Sequence, residues 1–290
     1  MTAKPQLDTA FLNEFIARMD KKTDDLFLVN RLKNTVIAVD KNNKSEGCGA
    51  LIDYYIYTNN FEEALDVFER RKYQYSSNPF LLKAGIRLYT ALGEWNLLKK
   101  SWNDYINSLN EVNKEKYIFS LLSESAIFLD IEPYFDFKDF IPRDFFTSRV
   151  NYINNSLEKL ENLDISIENY RKLVGLSYQI TYRSYNLHKF DYIINCNDEF
   201  VSILIQNPNW SNEDVKELNI AFMQAISEID DVDFHCEVNE IDVLFINCDY
   251  QKIPKNIRIF EDTDDDLISL IEKRMSEDTQ EYVKIEVDNV

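Results

Sequence analysis

The chain has 290 residues, 45% of them apolar, so it is long enough and apolar enough to fold around a substantial core. Its formal net charge of −19 disfavours direct binding to nucleic acid and to anionic membranes. Five glycines and two histidines are too few for glycine-rich sheet architectures and for most acid–base or metal sites.

The N-terminal stretch MTAKPQLDTAFLNEF contains one lysine and no apolar run, which is not the pattern of a secretory signal. No stretch reaches the roughly 20 apolar residues that a bilayer-spanning helix needs. The four cysteines are dispersed and form no CxxC pair, which predicts reduced thiols rather than a disulfide framework. We therefore expect a cytoplasmic protein.

Residues 45 to 112 contain an internal repeat. A single constant shift superposes Tyr55 on Tyr89, Asn59 on Gly93, Phe61 on Trp95, Ala64 on Leu98 and Phe68 on Trp102. Apolar residues at i, i+3, i+4 and i+7 from Phe61 predict one buried face of a helix. Asn78-Pro79 ends that helix, because proline disfavours helical geometry in the preceding residue and begins the next helix well.

This pattern resembles the tetratricopeptide repeat, a helix–turn–helix unit of about 34 residues, which is also the length of the shift. The two best units are 45–78 and 79–112, in which Tyr55 and Tyr89 match the aromatic residue of the family's first helix. The chain departs from the family where Cys48 and Leu82 replace its early tryptophan, and where Ile52 and Ile86 replace its first-helix glycine. The resemblance implies an array of antiparallel helical hairpins whose first helices line a concave groove.

The resemblance also indicates where a partner would bind. Lys83 and Arg87 lie one turn apart on a first helix, on the side that would face the groove. Two cations beside aromatic side chains suit a peptide carboxylate or an acidic side chain. The predicted partner-binding groove consists of Lys83, Arg87, Tyr57, Phe80 and Thr90.

The helical pattern continues, less regularly, to residue 229. Helices are predicted over 114–129, 148–163 and 166–187, and Pro133 and Pro142 leave room for only a short irregular helix between the first two. The stretch 188–208 is interpreted as a degenerate helical unit, since Phe190 precedes Pro208 by the interval that separates Phe61 from Pro79. Ser211 and Asp214 form a capping-box pattern before a helix over 212–229.

After residue 230 the pattern changes. The stretches 233–238, 241–248 and 281–287 are short and rich in β-branched and aromatic residues, and they are predicted as strands. Residues 264–275 are predicted as a helix. The domain prediction is therefore a helical repeat domain over 1–229 and an acidic α+β module over 230–290. From Glu228 to Val290 there are 19 acidic and 6 basic residues.

No cluster of residues predicts a reaction. His235 and Cys236 are neighbours, but in a strand their side chains would point to opposite faces, which opposes shared metal ligation. The run EDTDDD at 261–266 lacks the glycine and the final glutamate of a calcium loop, and it is interpreted as an acidic helix start. We expect no catalytic residues, no cofactor and no metal.

The leading hypothesis is a non-enzymatic scaffold that binds a protein or peptide partner in the groove. The alternative is an acidic inhibitor of the immunity type, which would neutralise a cationic partner such as a nuclease through residues 228–290. The sequence leaves the oligomeric state open.

Overall fold

The computed structural model describes residues 22–23, 25–42, 44–185, 191–196, 200–207 and 209–247. Within these ranges the chain is mainly helical, with eleven α-helices and a small three-stranded sheet towards the C-terminal end. The elements are α1 (Leu26–Asn42), α2 (Lys44–Tyr57), α3 (Phe61–Lys72), α4 (Pro79–Ala91), α5 (Trp95–Ser108), α6 (Glu111–Ile127), α7 (Glu132–Asp136), a 3-10 turn (Lys138–Phe140), α8 (Arg143–Asn162), α9 (Ile167–Ser184), β1 (Asp191–Cys196), β2 (Val201–Gln206), α10 (Asn212–Ser227), α11 (Val232–Val238) and β3 (Ile241–Ile246).

Helices α2 to α5 form two consecutive helical hairpins. Helix α2 packs against α3 within its hairpin and against α4 of the next hairpin, and α4 packs against α5. Asn78 begins α4, because its side-chain oxygen accepts hydrogen bonds from the backbone N–H groups of Phe80 and Leu81, and Pro79 occupies the first helical position. The ring of Phe68 fills the space above Gly85, where an added Cβ would lie 2.6 Å from it.

The helical hairpins share one type of turn, which recurs at nearly regular intervals along the chain. Each turn contains one residue with positive φ, namely Asn59 (59°), Gly93 (66°), Leu129 (48°) and Asp164 (54°). After each of them, a backbone N–H donates to the carbonyl five residues earlier, in the pairs Asn60–Tyr55, Glu94–Tyr89, Asp130–Ser125 and Ile165–Leu160. These bonds define Schellman motifs, which satisfy the last carbonyls of the preceding helix.

Helix α9 runs across three of these turns and contacts them with residues spaced four apart. The contacts join Arg171 Nε to the Phe128 carbonyl (2.8 Å), Arg171 Nη2 to the Leu129 carbonyl (3.1 Å), Gln179 Nε2 to the Leu92 carbonyl (2.7 Å) and Asn59 Nδ2 to the Arg183 carbonyl (3.0 Å). A spacing in multiples of four residues keeps Arg171, Gln179 and Arg183 on one broad surface of the helix. Arg171 and Arg183 are about 18 Å apart along the axis of α9. Neighbouring packed helices lie about 8–10 Å apart, so this length spans three successive turns, that is, two helix-to-helix spacings.

Gly175 lies on the same face of α9 and packs directly against Gly93. A Cβ on Gly93 would lie 2.2 Å from the Gly175 carbonyl oxygen, and a Cβ on Gly175 would lie 2.4 Å from the Gly93 carbonyl oxygen. Gly93 therefore has two roles in this turn. It adopts positive φ without strain, and it leaves room for the backbone of α9.

The sheet has the strand order β1-β2-β3, with β1 antiparallel and β3 parallel to the central strand. All six residues of β2 are buried. Helix α8 covers the outer edge of β1, where Tyr152 Oη and Lys159 Nζ donate to the carbonyls of Ile194 (3.1 Å) and Cys196 (2.8 Å). These bonds satisfy edge groups that would otherwise be open to another strand.

The structure corrects two predictions of local structure. The stretch 188–208 is not a helical unit, because its described part forms β1 and β2, whose side chains pack into the main core. The stretch 233–238 is not a strand but lies in α11, which begins where the Asp231 side chain accepts from the Phe234 N–H (3.1 Å). The sheet combines strands from both sides of residue 230.

Other predictions of local structure are confirmed. Helix α10 begins at the Ser211–Asp214 capping box, the short α7 contains Pro133, and β3 covers most of the predicted strand 241–248. The predicted helix 264–275, the predicted strand 281–287 and the acidic run 261–266 lie outside the described residues.

Candidate functional site

Three of the five predicted groove residues lie together on the surface of α4. Phe80 is 49% exposed, Lys83 is exposed, and Arg87 is partly exposed one turn further along. Most other residues of α4 are buried, so these three form a narrow strip, which we call the α4 strip.

Arg87 is paired within the protein. Its Nε and Nη2 atoms donate to Oδ1 and Oδ2 of Asp53 on α2, at 2.7 Å and 2.6 Å. Bidentate pairs of this kind are among the stronger charge-assisted contacts. Asp53 and Arg87 are one repeat apart and thus occupy equivalent positions in successive hairpins. The pair offsets the positive charge of Arg87 and leaves Lys83 as the exposed cation of the strip.

The other two predicted groove residues are directed into the interior. Thr90 is 5% exposed, and its hydroxyl donates to the Ile86 carbonyl of the same helix (2.8 Å). Tyr57 is buried, and its hydroxyl accepts from the Thr23 N–H (2.8 Å). The structure therefore brings Phe80, Lys83 and Arg87 together and separates Tyr57 and Thr90 from that surface.

A second candidate site lies beside the turns, where α9 meets the two hairpins. It is a half-open pocket with a volume of about 390 Å³. We call it the turn-edge pocket, and it is lined by Phe61, Leu65, Tyr89, Ala91, Leu92, Glu94, Leu97, Gln179 and Arg183. Leu65 and Leu97 are 38% and 44% exposed, so an apolar surface is open to solvent at the mouth.

Charged groups surround this apolar surface. Glu94 and Arg183, both described by the structure, line the pocket without forming an ion pair with each other. Tyr89 Oη donates to Glu69 Oε1 (3.0 Å), which holds a further carboxylate beside the wall. The sequence did not predict this pocket, because α9 follows the hairpins only after three intervening helices. One sequence feature does point to the pocket. Leu97 is apolar, although Glu63, one repeat earlier, is charged and exposed.

Lys22 connects the first turn to the segment that precedes α1. Its Nζ atom donates to the Ile56 carbonyl (2.9 Å) and to Asn59 Oδ1 (2.6 Å), at the C-terminal end of α2. Burial lowers the pKa of the Lys22 ammonium to about 7. These contacts direct Lys22 towards the end of α2.

A partly buried acid near the C-terminal end of α6 contacts α9. Burial raises the pKa of the Glu124 carboxyl to about 7, and the Tyr178 hydroxyl donates to it at 2.5 Å. The ring of Tyr178 stacks between those of Phe128 and Tyr192. Glu124 has no nucleophile or base beside it among these contacts, so we interpret it as part of the packing between α6 and α9.

The described residues give no sign of a metal site. No group of three or more His, Cys, Asp and Glu side chains within them is placed to hold a metal ion. His235 lies on α11, where its Nε2 is 2.7 Å from the Ile229 carbonyl, and Cys236 is an exposed free thiol. Cys196 is free and buried.

None of the helices that the structure describes has both the length and the apolar character needed to cross a membrane. The inhibitor hypothesis for residues 228–290 stays a prediction, because the described residues end at Asn247. Comparison with known proteins found no matching family model, no matching curated protein and no matching solved structure.

Proposed function

We propose that this chain is a non-enzymatic helical-repeat scaffold, similar to tetratricopeptide-repeat proteins, which binds a protein or peptide partner on the α4 strip. The partner would place an acidic group at Lys83 and an apolar side chain at Phe80. The contact between Asp53 and Arg87 carries this proposal, because it joins equivalent positions of successive hairpins.

The Asp53–Arg87 contact supports a repeat array for a geometric reason. Hairpins stacked side by side bring residues one repeat apart next to each other, so their first helices form one continuous surface. The repeat interval in the sequence and the shared turn geometry at Asn59 and Gly93 support the same arrangement. Exposed residues on such a surface are suited to contact an extended partner.

Site-specific photocrosslinking would test the proposal. The photoreactive residue p-benzoylphenylalanine would replace Phe80 in the full chain, which would then be irradiated in lysate of the native host. We expect one discrete crosslinked protein, with a yield at least about fivefold lower when Lys83→Glu is added, since charge reversal weakens a charge-assisted contact. Arg87 is not suitable for reversal, because an acid there would face Asp53.

Two controls match this experiment. Lys100→Glu makes the same charge change on the exposed surface of α5 and should leave the crosslink unchanged. The photoreactive residue at Tyr73, which is 92% exposed, should not capture the same protein. Equal capture in the Lys83→Glu variant, or no discrete product from position 80, would refute the proposal.

A further inference from the structure

We propose that the turn-edge pocket is a second binding site, which receives a bulky apolar side chain from a basic segment of a partner polypeptide. This site is distinct from the α4 strip, and it does not depend on the function proposed for that strip. Its surface comes from α3, α4, α5 and α9, so it exists only where α9 crosses the two hairpins.

The apolar surface of the pocket fits a single large side chain. Phe61 and Leu65 on α3 and Leu97 on α5 contribute large apolar side chains to its lining. A volume of about 390 Å³ is at the small end of the range for ligand sites, which suits one anchoring residue better than an extended ligand. Burial of an aromatic or leucine side chain here would cover Leu65 and Leu97, which are solvent-exposed.

The charges around the mouth favour a basic segment. Glu62 and Glu69 lie at i−3 and i+4 from Leu65 and are therefore its neighbours on the surface of α3. Glu94 lines the pocket itself, as does a single guanidinium, that of Arg183. Near Leu97, Lys100 and Asp104 offset each other. Lys22 Nζ lies 6.0 Å from the centre of the Phe61 ring, so four carboxylates (Glu62, Glu69, Glu94 and Asp104) and three cations (Lys22, Lys100 and Arg183) surround the mouth.

The charge of the whole chain acts in the same direction. A formal net charge of −19 attracts a cationic segment and repels an acidic one before contact is made. In the bound state, lysine or arginine residues flanking the anchor would reach Glu69 and Glu94. Arg183 would face a backbone carbonyl of the segment, to which guanidinium groups readily donate.

Fluorine NMR of short peptides with the intact chain would test this site. The main probe is acetyl-Lys-(para-fluorophenylalanine)-Lys-amide, and its matched partner has glutamate in place of both lysines. We expect the lysine probe to bind saturably with a Kd of about 1 mM or tighter, as a single anchored side chain can achieve. The glutamate probe should bind at least about fivefold more weakly, and added salt should weaken the lysine probe.

Variants of the protein assign the binding to this pocket. Leu65→Asn and Leu97→Asn change exposed side chains, so the fold should persist, and each should weaken the lysine probe by about fivefold or more. Glu94→Gln should reduce the preference for the lysine probe over the glutamate probe. Tyr73→Asn and Glu161→Gln alter exposed residues elsewhere and should change neither measurement.

Three results would overturn the proposal. These are an absence of saturable binding by the lysine probe, equal or tighter binding by the glutamate probe, and unchanged binding by both leucine variants. Lys83→Glu distinguishes the two sites, because it should lower capture at the α4 strip at least about fivefold and leave the peptide titration unchanged.

Discussion

The turns at Asn59 and Gly93 have the same backbone geometry, yet they contact α9 by different means. Gly93 has no side chain and lets the backbone of Gly175 approach within van der Waals contact. Asn59 uses its side chain, which accepts from Lys22 and donates to the Arg183 carbonyl. The Gly93 turn also accepts a hydrogen bond from Gln179 at the Leu92 carbonyl. The difference is therefore that the turn residue itself packs closely against α9 at Gly93 and hydrogen-bonds through its side chain at Asn59.

Replacing Gly93 by asparagine, the residue of the first turn, gives the largest expected effect. Gly93→Asn introduces a residue that tolerates positive φ, so most of its cost comes from the collision of Cβ with Gly175. We expect a loss of about 3 kcal/mol or more in the free energy of unfolding, measured by urea denaturation. Gly175→Ala should destabilise the protein through the same contact. A loss below about 1 kcal/mol in both variants would show that the glycine contact is not tight.

The second prediction concerns the contact between α9 and α6, beside the turn at Leu129. Because the pKa of Glu124 rises to about 7 from 4.5, the native state binds more protons than the unfolded state between these pH values. Its stabilising contribution is complete below pH 4.5 and is lost as the pH rises through 7. Glu124→Gln should therefore be more stable than the parent at pH 8, by at most about 3 kcal/mol, and nearly equal to it near pH 4.5.

Thermal or urea unfolding across this pH range measures the Glu124 effect. Glu161→Gln, an exposed change on α8, should give a difference from the parent that does not vary with pH. A flat difference for Glu124→Gln as well would mean that the acid titrates normally in the folded protein.

The third prediction separates contact between the hairpins from their attachment to α9. Asp53→Ala and Arg87→Ala each leave a partly buried charge unpaired, and each should cost about 1–3 kcal/mol of stability. The double variant should cost less than the sum, with a coupling of about 1–2 kcal/mol. A coupling near zero would show that the pair contributes little to the stacking of α2 on α4.

The smallest effect is expected at the first turn. Asn59→Gly keeps the positive φ without strain and removes two side-chain hydrogen bonds, so it should cost about 1 kcal/mol or less. Asn59→Ala should cost more, because alanine is strained at this φ. If Asn59→Gly proved as costly as Gly93→Asn, the contrast between a packed turn and a hydrogen-bonded turn would be wrong.

Local signals allowed part of the fold to be predicted. The Asn78-Pro79 helix start, the Ser211–Asp214 capping box and the hairpins around Asn59 and Gly93 depend on residues close in sequence. The Phe–Pro interval wrongly predicts a helical unit over 191–196 and 201–206, where the β-branched residues indicate strands. The helix over 232–238 depends on its cap at Asp231, which outweighs the strand propensity of its apolar residues.

The candidate sites could be predicted only in part. Phe80 and Lys83 are exposed where the repeat pattern predicts them. Tyr57 packs with Leu32 and Val36 of α1, and Thr90 lies near the end of α4, which contacts α9. Periodicity alone does not reveal these contacts between distant segments. The turn-edge pocket depends on the path of α9, a long-range feature without a local sequence signal. The tetratricopeptide resemblance itself stays a prediction.

The length of α9 limits the copy number of the hairpins. Its 18 residues extend about 27 Å, and its contacts with the turns take up about 18 Å of that length. A duplicated hairpin would lengthen the row of turns by about 9 Å, and α9 would need about six additional residues to reach the last one. Open solenoids can gain or lose units freely. In this chain, a change in unit number requires a matching insertion in a helix far along the sequence.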